Sequence, residues 1–144
     1  MGCHFRFAAD EGAQIGLPEL DLGAVPAWGG SARLAKCVGE NHAIDMILRS
    51  KKISGRRALE IGLVHEIYPI DELKEAAIAL GHELAAQPAA AVASMMKVLV
   101  NSSEKSLDGL LIAERKAVHE NNDTKDSKEG MMAFLEKRKP QFNK

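Results

Sequence analysis

Aromatic residues make up only 4% of this 144-residue sequence, with one Trp and one Tyr. Single-stranded nucleic acids bind by stacking successive bases on aromatic side chains, so this scarcity argues against such a surface. An excess of one charge is also lacking, because 19 Lys and Arg stand against 20 Asp and Glu. This balance predicts no general attraction to nucleic acid or to an anionic membrane.

Cysteine is rare as well, since Cys3 and Cys37 are the two in the sequence. They have neither the spacing of a metal site nor the density of a secreted disulfide scaffold. The five histidines include no pair at the i, i+4 spacing that places two ligands on one helix face, so we expect no metal. No apolar run approaches the roughly 20 residues of a membrane span, and the N-terminus lacks the pattern of a signal peptide. We therefore expect a cytoplasmic protein.

The most informative segment of the sequence surrounds Glu19. Pro18 removes a backbone donor directly before it, and Gly16 and Gly23 flank it with flexible backbone, so a bent, non-repetitive segment is predicted. Four neighbours are apolar: Leu17, Leu20, Leu22 and Val25. A carboxylate among such side chains loses hydration, which suits a proton donor or acceptor near neutral pH. A solvated loop glutamate is the alternative that composition leaves open.

A glycine pair follows this segment. Gly29 and Gly30 precede Ser31, and the pattern predicts a helix through about Lys36 that Ser31 caps and Gly39 ends. The start of a helix can bind an oxyanion or a phosphate. The lysine and the spacing of a phosphate-binding loop are absent, so the pair alone is weak evidence for a site.

The remaining pattern predicts short elements first and longer helices afterwards. Strands are predicted at residues 3–8, 13–15 and 63–68, and short helices at residues 42–50 and 54–61, the second of which Ser54 is predicted to cap. From Asp71 onward, apolar positions recur at helical spacing, with Pro88 between two helices, a third after Ser103 or Ser106, and a last helix at about Ser127 to Lys139. The pattern is typical of an α/β (α+β) chain whose second half is helical.

Basic residues cluster at Lys51-Lys52 and at Lys137-Arg138-Lys139, close to Phe142. Either cluster could hold a phosphorylated ligand. A run of charges is more often an ordinary solvated face, and the sequence leaves both interpretations open.

Together, these residues resemble the enoyl-CoA hydratase/isomerase (crotonase) family over nearly the whole chain. The family has a Gly-x-Pro-Glu turn, then Leu-Gly, a proline, Gly-Gly and an Arg-Leu pair, and the matching residues are Gly16-Leu17-Pro18-Glu19, Leu22-Gly23, Pro26, Gly29-Gly30 and Arg33-Leu34. Further matches precede and include its C-terminal helices: Ile53-Ser54, Ala58, Gly62-Leu63-Val64, Glu129-Gly130-Met131 and Phe134-Leu135-Glu136-Lys137-Arg138-Lys139-Pro140.

The resemblance implies a spiral of ββα repeats followed by a trailing helical region. Residues 1–69 would be the C-terminal part of this crotonase-like core, and residues 70–144 a helical oligomerisation region. Such proteins usually assemble as trimers or hexamers and bind acyl-CoA thioesters, with coenzyme A as part of the substrate and no separate cofactor.

The resemblance also implies roles for individual residues. Glu19 matches the second catalytic glutamate, which exchanges a proton with the acyl chain next to the thioester carbonyl. The expected substrate-binding residues are Pro18, Ala27, Trp28, Gly29 and Gly30. The expected CoA-binding residues lie at the C-terminus: Lys137, Lys139 and Phe142.

The sequence departs from the family pattern in informative places. His4 stands where an aspartate is usual, and Ala27-Trp28 replaces a glycine and a small residue, so the indole is expected to narrow the acyl pocket. Ala27 also occupies the place of an aspartate that serves longer-range isomerisation or dehalogenation, which argues against both. The first catalytic glutamate and both oxyanion donors of the family lie upstream of the residues matched by Met1.

We therefore expect the C-terminal portion of an enoyl-CoA hydratase/isomerase, with an upstream half, in a longer chain or a separate partner, that supplies the oxyanion hole. Hydration and isomerisation, and the identity of the acyl group, stay open. The alternative is a non-catalytic, crotonase-derived oligomerisation or regulatory module in which Glu19 is vestigial.

Overall fold

The computed structural model describes residues 1–100 and 102–144. Its elements, in chain order, are β1 (Phe7–Ala9), a 3-10 helix (Glu19–Leu22), α1 (Gly30–Val38), α2 (Glu40–Leu48), α3 (Gly55–Glu60), β2 (Glu66–Tyr68), α4 (Leu73–Ala85), α5 (Ala89–Leu99), a 3-10 turn (Ser102–Glu104), α6 (Leu107–Asn121) and α7 (Lys125–Leu135). They form two compact units, Met1–Ala79 and Leu80–Lys144, and the division falls within α4. The oligomerisation role expected for residues 70–144 stays a prediction.

The first unit contains a small parallel sheet. β1 pairs with β2 in the register Phe7 to Glu66, Ala8 to Ile67 and Ala9 to Tyr68. Both strands are shorter than the predicted 3–8 and 63–68, and the predicted strand at 13–15 is reduced to a single bridge between Ile15 and Ile53. β2 starts late because the amides of Leu63 and Val64 bond to Ala58 O and so close α3.

The core of the first unit lies between the sheet and its helices. Its buried side chains include Leu34, Met46 and Ala58, at 1%, 2% and 0% exposure. α1 packs against α2. Ser54 caps α3 as predicted, since its Oγ accepts a hydrogen bond from Arg57 N at 3.2 Å. Gly55 lies so close to β1 that a Cβ there would stand 1.9 Å from Ala9 O, so a side chain at this position would separate α3 from the sheet.

The second unit consists of helices, and side-chain caps define the starts of α6 and α7. Ser106 caps α6 by accepting from Gly109 N at 3.2 Å, which decides between Ser103 and Ser106. Thr124 caps α7 by accepting from Ser127 N at 3.1 Å, so α7 starts at Lys125, earlier than predicted. It ends at Leu135 rather than near Lys139 because the backbone turns away at Lys137, whose φ is 55°.

Much of the apolar surface of the second unit is uncovered. Among its described residues, Ala117 and Ala133 are the buried apolar ones. Side chains expected on apolar helix faces are exposed instead, among them Leu99, Met131, Phe134 and Leu135, at 62%, 63%, 80% and 67% exposure. In the described parts of the chain, we find no helix with the length and apolar character needed to span a membrane.

Candidate active site

Glu19 opens a one-turn helix that reverses the chain. Asp21 N bonds to Pro18 O at 3.1 Å and Ala24 N bonds to Glu19 O at 3.0 Å. Gly23 ends the turn with a φ of 67°, a left-handed conformation that glycine adopts without strain. Residues 16–23 are called the Glu19 turn below, and they form the bent segment that the sequence predicts.

The entry to the Glu19 turn is held against residues 51–53. Ile15 and Ile53 exchange two backbone hydrogen bonds of 2.9 Å each. Gly16 follows directly, and a Cβ there would stand 2.7 Å from Lys51 O, so only a glycine permits this approach. The backbone leading to Glu19 is thus fixed by direct contact with a second segment of the same unit.

The Glu19 side chain is half-buried, and its two oxygens differ in their surroundings. Oε2 is buried and receives no hydrogen bond from the described residues. A buried polar atom without a partner costs free energy, and such atoms in native proteins are often explained by a functional role. The apolar shell expected from sequence is wrong in part, because Leu22 and Val25 are 85% and 76% exposed on the reversed chain.

The glycine pair is positioned by a turn of left-handed backbone. Trp28 and Gly29 have φ values of 55° and 78°. Arg33 reaches back from α1 and donates from Nη1 to Trp28 O at 2.7 Å, so close that a Cβ on Gly29 would stand 2.6 Å from that nitrogen. Leu34 is 1% exposed and anchors α1 in the core. Arg33 therefore closes this turn, and Leu34 packs α1 into the core.

The start of α1 differs from the sequence prediction in its cap. Gly29, not Ser31, is the N-cap residue, and it has no side chain to offer. Gly39 ends the helix as predicted, with its N–H bonded to Ala35 O. Gly30 N donates to Ala27 O at 3.0 Å, so this amide is engaged within the turn.

The predicted substrate-binding residues belong to the same unit as Glu19. Pro18 and Gly30 are half-buried, whereas Ala27 and Gly29 are exposed. The Trp28 indole is 96% exposed, so it narrows no pocket formed by the described residues, and its effect on an acyl pocket stays a prediction.

An apolar cleft borders the Glu19 turn, and sequence reasoning missed it. Its volume is about 440 Å³, and its lining includes Phe5, Phe7, Leu17 and Met46. Arg6 lies at its edge and is held by backbone oxygens, with Nε bonded to Leu63 O at 2.6 Å. The alternation of Phe5 and Phe7 with polar residues was the available signal, because it indicates a strand with one apolar face.

The predicted CoA-binding residues lie in the second unit. Lys137 and Lys139 are exposed, and Phe142 is half-buried with its ring against Gly130. Phe142 also lines a cavity of about 380 Å³ together with residues of α6 and α7. Glu19 and the C-terminal residues are thus two groups, each in its own unit.

Solved structures with the same chain path define the class of fold. An enoyl-CoA hydratase of Geobacillus kaustophilus HTA426 matches with a TM-score of 0.90 and 36% identity, covering 98% of this chain and 53% of that one. An enoyl-CoA hydratase of Bacillus anthracis matches with a TM-score of 0.90 and 35% identity, covering 97% and 54%. The fold is therefore that of the crotonases, and a small sheet with many helices is the part present here.

The sequence comparisons identify the family. The family described as Enoyl-CoA hydratase/isomerase matches residues 1–144, and the chain belongs to this family. A Bacillus subtilis protein named probable enoyl-CoA hydratase is 42% identical over 144 residues, or 99% of this chain and 55% of its own length. The 2,3-dehydroadipyl-CoA hydratase of Escherichia coli K12 is 35% identical over 98% of this chain and 57% of its own length. The chain thus spans about half the length of these relatives.

The burial of Glu19 Oε2 generates a stability prediction. Glu19→Met should raise the free energy of unfolding of the 144-residue chain by about 1 kcal/mol, because it removes a buried oxygen that lacks a hydrogen bond. Glu129→Met is the matched control and should lower it, because Glu129 is ion-paired with Arg138. Urea unfolding followed by circular dichroism measures both, and a loss of stability in Glu19→Met would mean that Glu19 has a structural role.

Proposed function

We propose that this chain carries the proton-transfer glutamate of an enoyl-CoA hydratase/isomerase. Glu19 would exchange a proton with the carbon next to the thioester carbonyl of an acyl-CoA. The observation that carries the proposal is the buried Oε2 of Glu19, which is free of hydrogen bonds from the described residues and stands on a turn held by the Ile15–Ile53 bridge. A carboxylate that is positioned but not neutralised by the protein is suited to accept and return a proton.

The proposed reaction is reversible addition of water to an enoyl-CoA, or a shift of its double bond. In hydration, the water oxygen bonds to the β carbon and gives up a proton to the first catalytic glutamate, the π bond of the enoyl group breaks, and the α carbon gains a proton that Glu19 would deliver in its protonated form. The negative charge that develops on the thioester oxygen needs preorganised donors, and losing one such donor costs roughly a hundredfold to a thousandfold in rate. In the proposal, these donors and the first catalytic glutamate come from an upstream half.

The substrate-binding part of the proposal rests on the backbone beside Glu19. Pro18 and Ala27 to Gly30 would border the acyl group, and Trp28 would reach it only when the upstream half covers the exposed indole. Coenzyme A is proposed as part of the substrate, with no separate cofactor. The free thiols of Cys3 and Cys37 support a reducing compartment, and we propose the cytoplasm.

The catalytic role of Glu19 is tested by complementation. The 144-residue chain, mixed with a separately made N-terminal half of the Bacillus subtilis relative, should hydrate crotonyl-CoA. Glu19→Gln should lower this turnover by roughly a hundredfold to ten-thousandfold, because the amide cannot transfer the proton. The measurement is the loss of enoyl thioester absorbance, and Glu11→Gln is the control because Glu11 is an exposed glutamate of the same unit.

Two results would contradict this mechanism. Near wild-type turnover in Glu19→Gln would remove Glu19 from the chemistry. Turnover by the 144-residue chain alone, abolished by Glu19→Gln, would mean that residues within this chain build an oxyanion hole and that no upstream half is needed.

We also propose that Lys137 and Lys139 bind the phosphate groups of CoA. Their exposure supports this role, and Phe142, close to them in the sequence, would supply an aromatic ring for the adenosine. Lys137→Glu with Lys139→Glu should weaken CoA binding more at low salt than at high salt, because exposed charges are screened by ions. Calorimetric titration with CoA measures this, and Lys125→Glu with Lys128→Glu is the control for an equal change of charge. Equal affinities at low salt would show the two lysines to be ordinary solvated charges.

We also propose that the second unit mediates self-association, as a trimer or hexamer. The apolar side chains of α7 that face solvent, Met131, Phe134 and Leu135, support this. Phe134→Asp should lower the mass measured by light scattering at micromolar concentrations, because burying a carboxylate in an apolar interface is costly. Lys125→Asp, at the exposed start of the same helix, is the control. A wild-type chain that is monomeric throughout would count against self-association and against the non-catalytic oligomerisation module.

A further inference from the structure

The C-terminal tail, residues 137–144, folds back along α7. Arg138 donates from Nη1 to Glu129 Oε1 at 2.6 Å and from Nη2 to Glu129 Oε2 at 2.9 Å, which is a two-pronged ion pair. Gln141 N adds a hydrogen bond to Glu129 Oε1 at 2.9 Å. Arg138, and then this backbone bond, lower the pKa of Glu129 to about 2. The carboxylate is therefore charged at any pH at which the protein would work.

The far end of the tail is fastened by Asn143. Its N–H donates to Asp126 Oδ1 at 2.9 Å. Its side-chain amide donates to Gln87 O at 2.8 Å, and its Oδ1 accepts from Ala89 N at 2.9 Å. The φ of 64° at Asn143 is one that asparagine tolerates better than most residues. The tail is thus held at both ends by residues of the second unit.

Lys137 occupies the bend between α7 and the tail. Its φ of 55° places it in the left-handed region, where a residue after a helix is usually glycine. Arg138 N closes the bend by bonding to Ala133 O at 3.0 Å. A lysine kept in a conformation that glycine would adopt at lower cost is an outlier that points to use of the side chain.

Arg138 stands between two lysines but is bound differently from either. Its guanidinium donates to Glu129 and, from Nε, to Glu136 Oε2 at 2.6 Å. It also donates to Lys139 O at 3.3 Å, which ties the backbone of the next residue to the same group. Lys137 and Lys139 are exposed, and within the described residues neither ammonium group has an ion-pair partner.

We propose that Arg138 is a positioning residue: its ion pair with Glu129 holds the backbone of Lys137 and Lys139 so that their ammonium groups are presented together to the phosphates of CoA. The proposal rests on the function proposed above for the two lysines. Arg138 itself then has few free donors for a phosphate, because its guanidinium is bound to Glu129, Glu136 and Lys139 O. The competing explanation is that Arg138 leaves Glu129 and binds the phosphate directly.

Two substitutions that keep a positive charge at position 138 separate these explanations. Glu129→Gln removes the partner of Arg138, and Arg138→Lys keeps the charge but loses the two-pronged pair. If Arg138 positions the lysines, both variants should weaken CoA binding by roughly threefold to tenfold, the scale for ordering one side chain at a binding site. If Arg138 binds phosphate directly, Glu129→Gln should bind CoA as tightly as wild type or more tightly. Glu120→Gln makes the same change of charge on α6 and is the control.

The measurement is calorimetric titration of the 144-residue chain with CoA, well below the melting transition, which circular dichroism records for each variant. A purely structural role would lower the melting temperature without changing the affinity. Lys137→Gly adds the opposite pattern: it should raise the melting temperature by relieving the left-handed backbone, and weaken CoA binding. Ser50→Gly is its control, because Ser50 has a φ of 47° and should gain stability only.

The outcomes distinguish this inference from the function on which it rests. If the lysine variants lose affinity while Glu129→Gln and Arg138→Lys retain it, Arg138 has no positioning role and the proposed CoA site stands. If the wild-type chain binds no CoA, both proposals are overturned. Weaker binding in Glu129→Gln, with an unchanged Glu120→Gln, supports the positioning role.

Discussion

The close backbone packing of residues 51–55 is the constraint on which the first unit depends. Three contacts fall within these five residues. Lys51 O lies against Gly16, Ile53 pairs with Ile15, and Gly55 lies against Ala9 O. The same short segment therefore holds β1, the entry to the Glu19 turn and the start of α3. Two of these three contacts require glycine, because a Cβ at Gly16 or Gly55 would stand 2.7 Å or 1.9 Å from a backbone oxygen. The position of Glu19 therefore depends on glycines, which have no side chain that could take part in catalysis.

Three local costs of this fold lie at residues to which we assign functions, whereas the left-handed backbone of Ser50 has no such role. Oε2 of Glu19 is buried without a hydrogen bond from the described residues. Trp28 and Lys137 have left-handed backbones, at φ values of 55° each, where most side chains are disfavoured. Such costs are expected where a protein retains a group for binding or catalysis rather than for stability. Asn143 has a similar backbone, but its hydrogen bonds give it a structural reason.

Local signals in the sequence predicted what depends on local chemistry. The bend at Glu19, the cap at Ser54 and the end of α1 at Gly39 follow from single residues and their nearest neighbours. The prediction that Ser31 caps α1 failed because Arg33 holds a left-handed turn that places Gly29 at the cap. The strand at residues 63–68 is predicted too long because the amides of Leu63 and Val64 bond to Ala58 O at the end of α3. The cleft beside Leu17 is lined by residues far apart in sequence, and the Glu129–Arg138 pair forms across the bend at Lys137, so helix and strand periodicity predicts neither.

The bonds of Asn143 bear on how the protein is produced. Its side chain satisfies the backbone at the corner between α4 and α5, one residue before the last one in this sequence. A purification tag fused after Lys144 would add chain directly beside that corner, and trimming by a carboxypeptidase would remove the hydrogen bonds of Gln87 and Ala89. An N-terminal tag leaves these bonds untouched. Intact mass at the C-terminus is thus a quality criterion for every sample used to measure ligand binding.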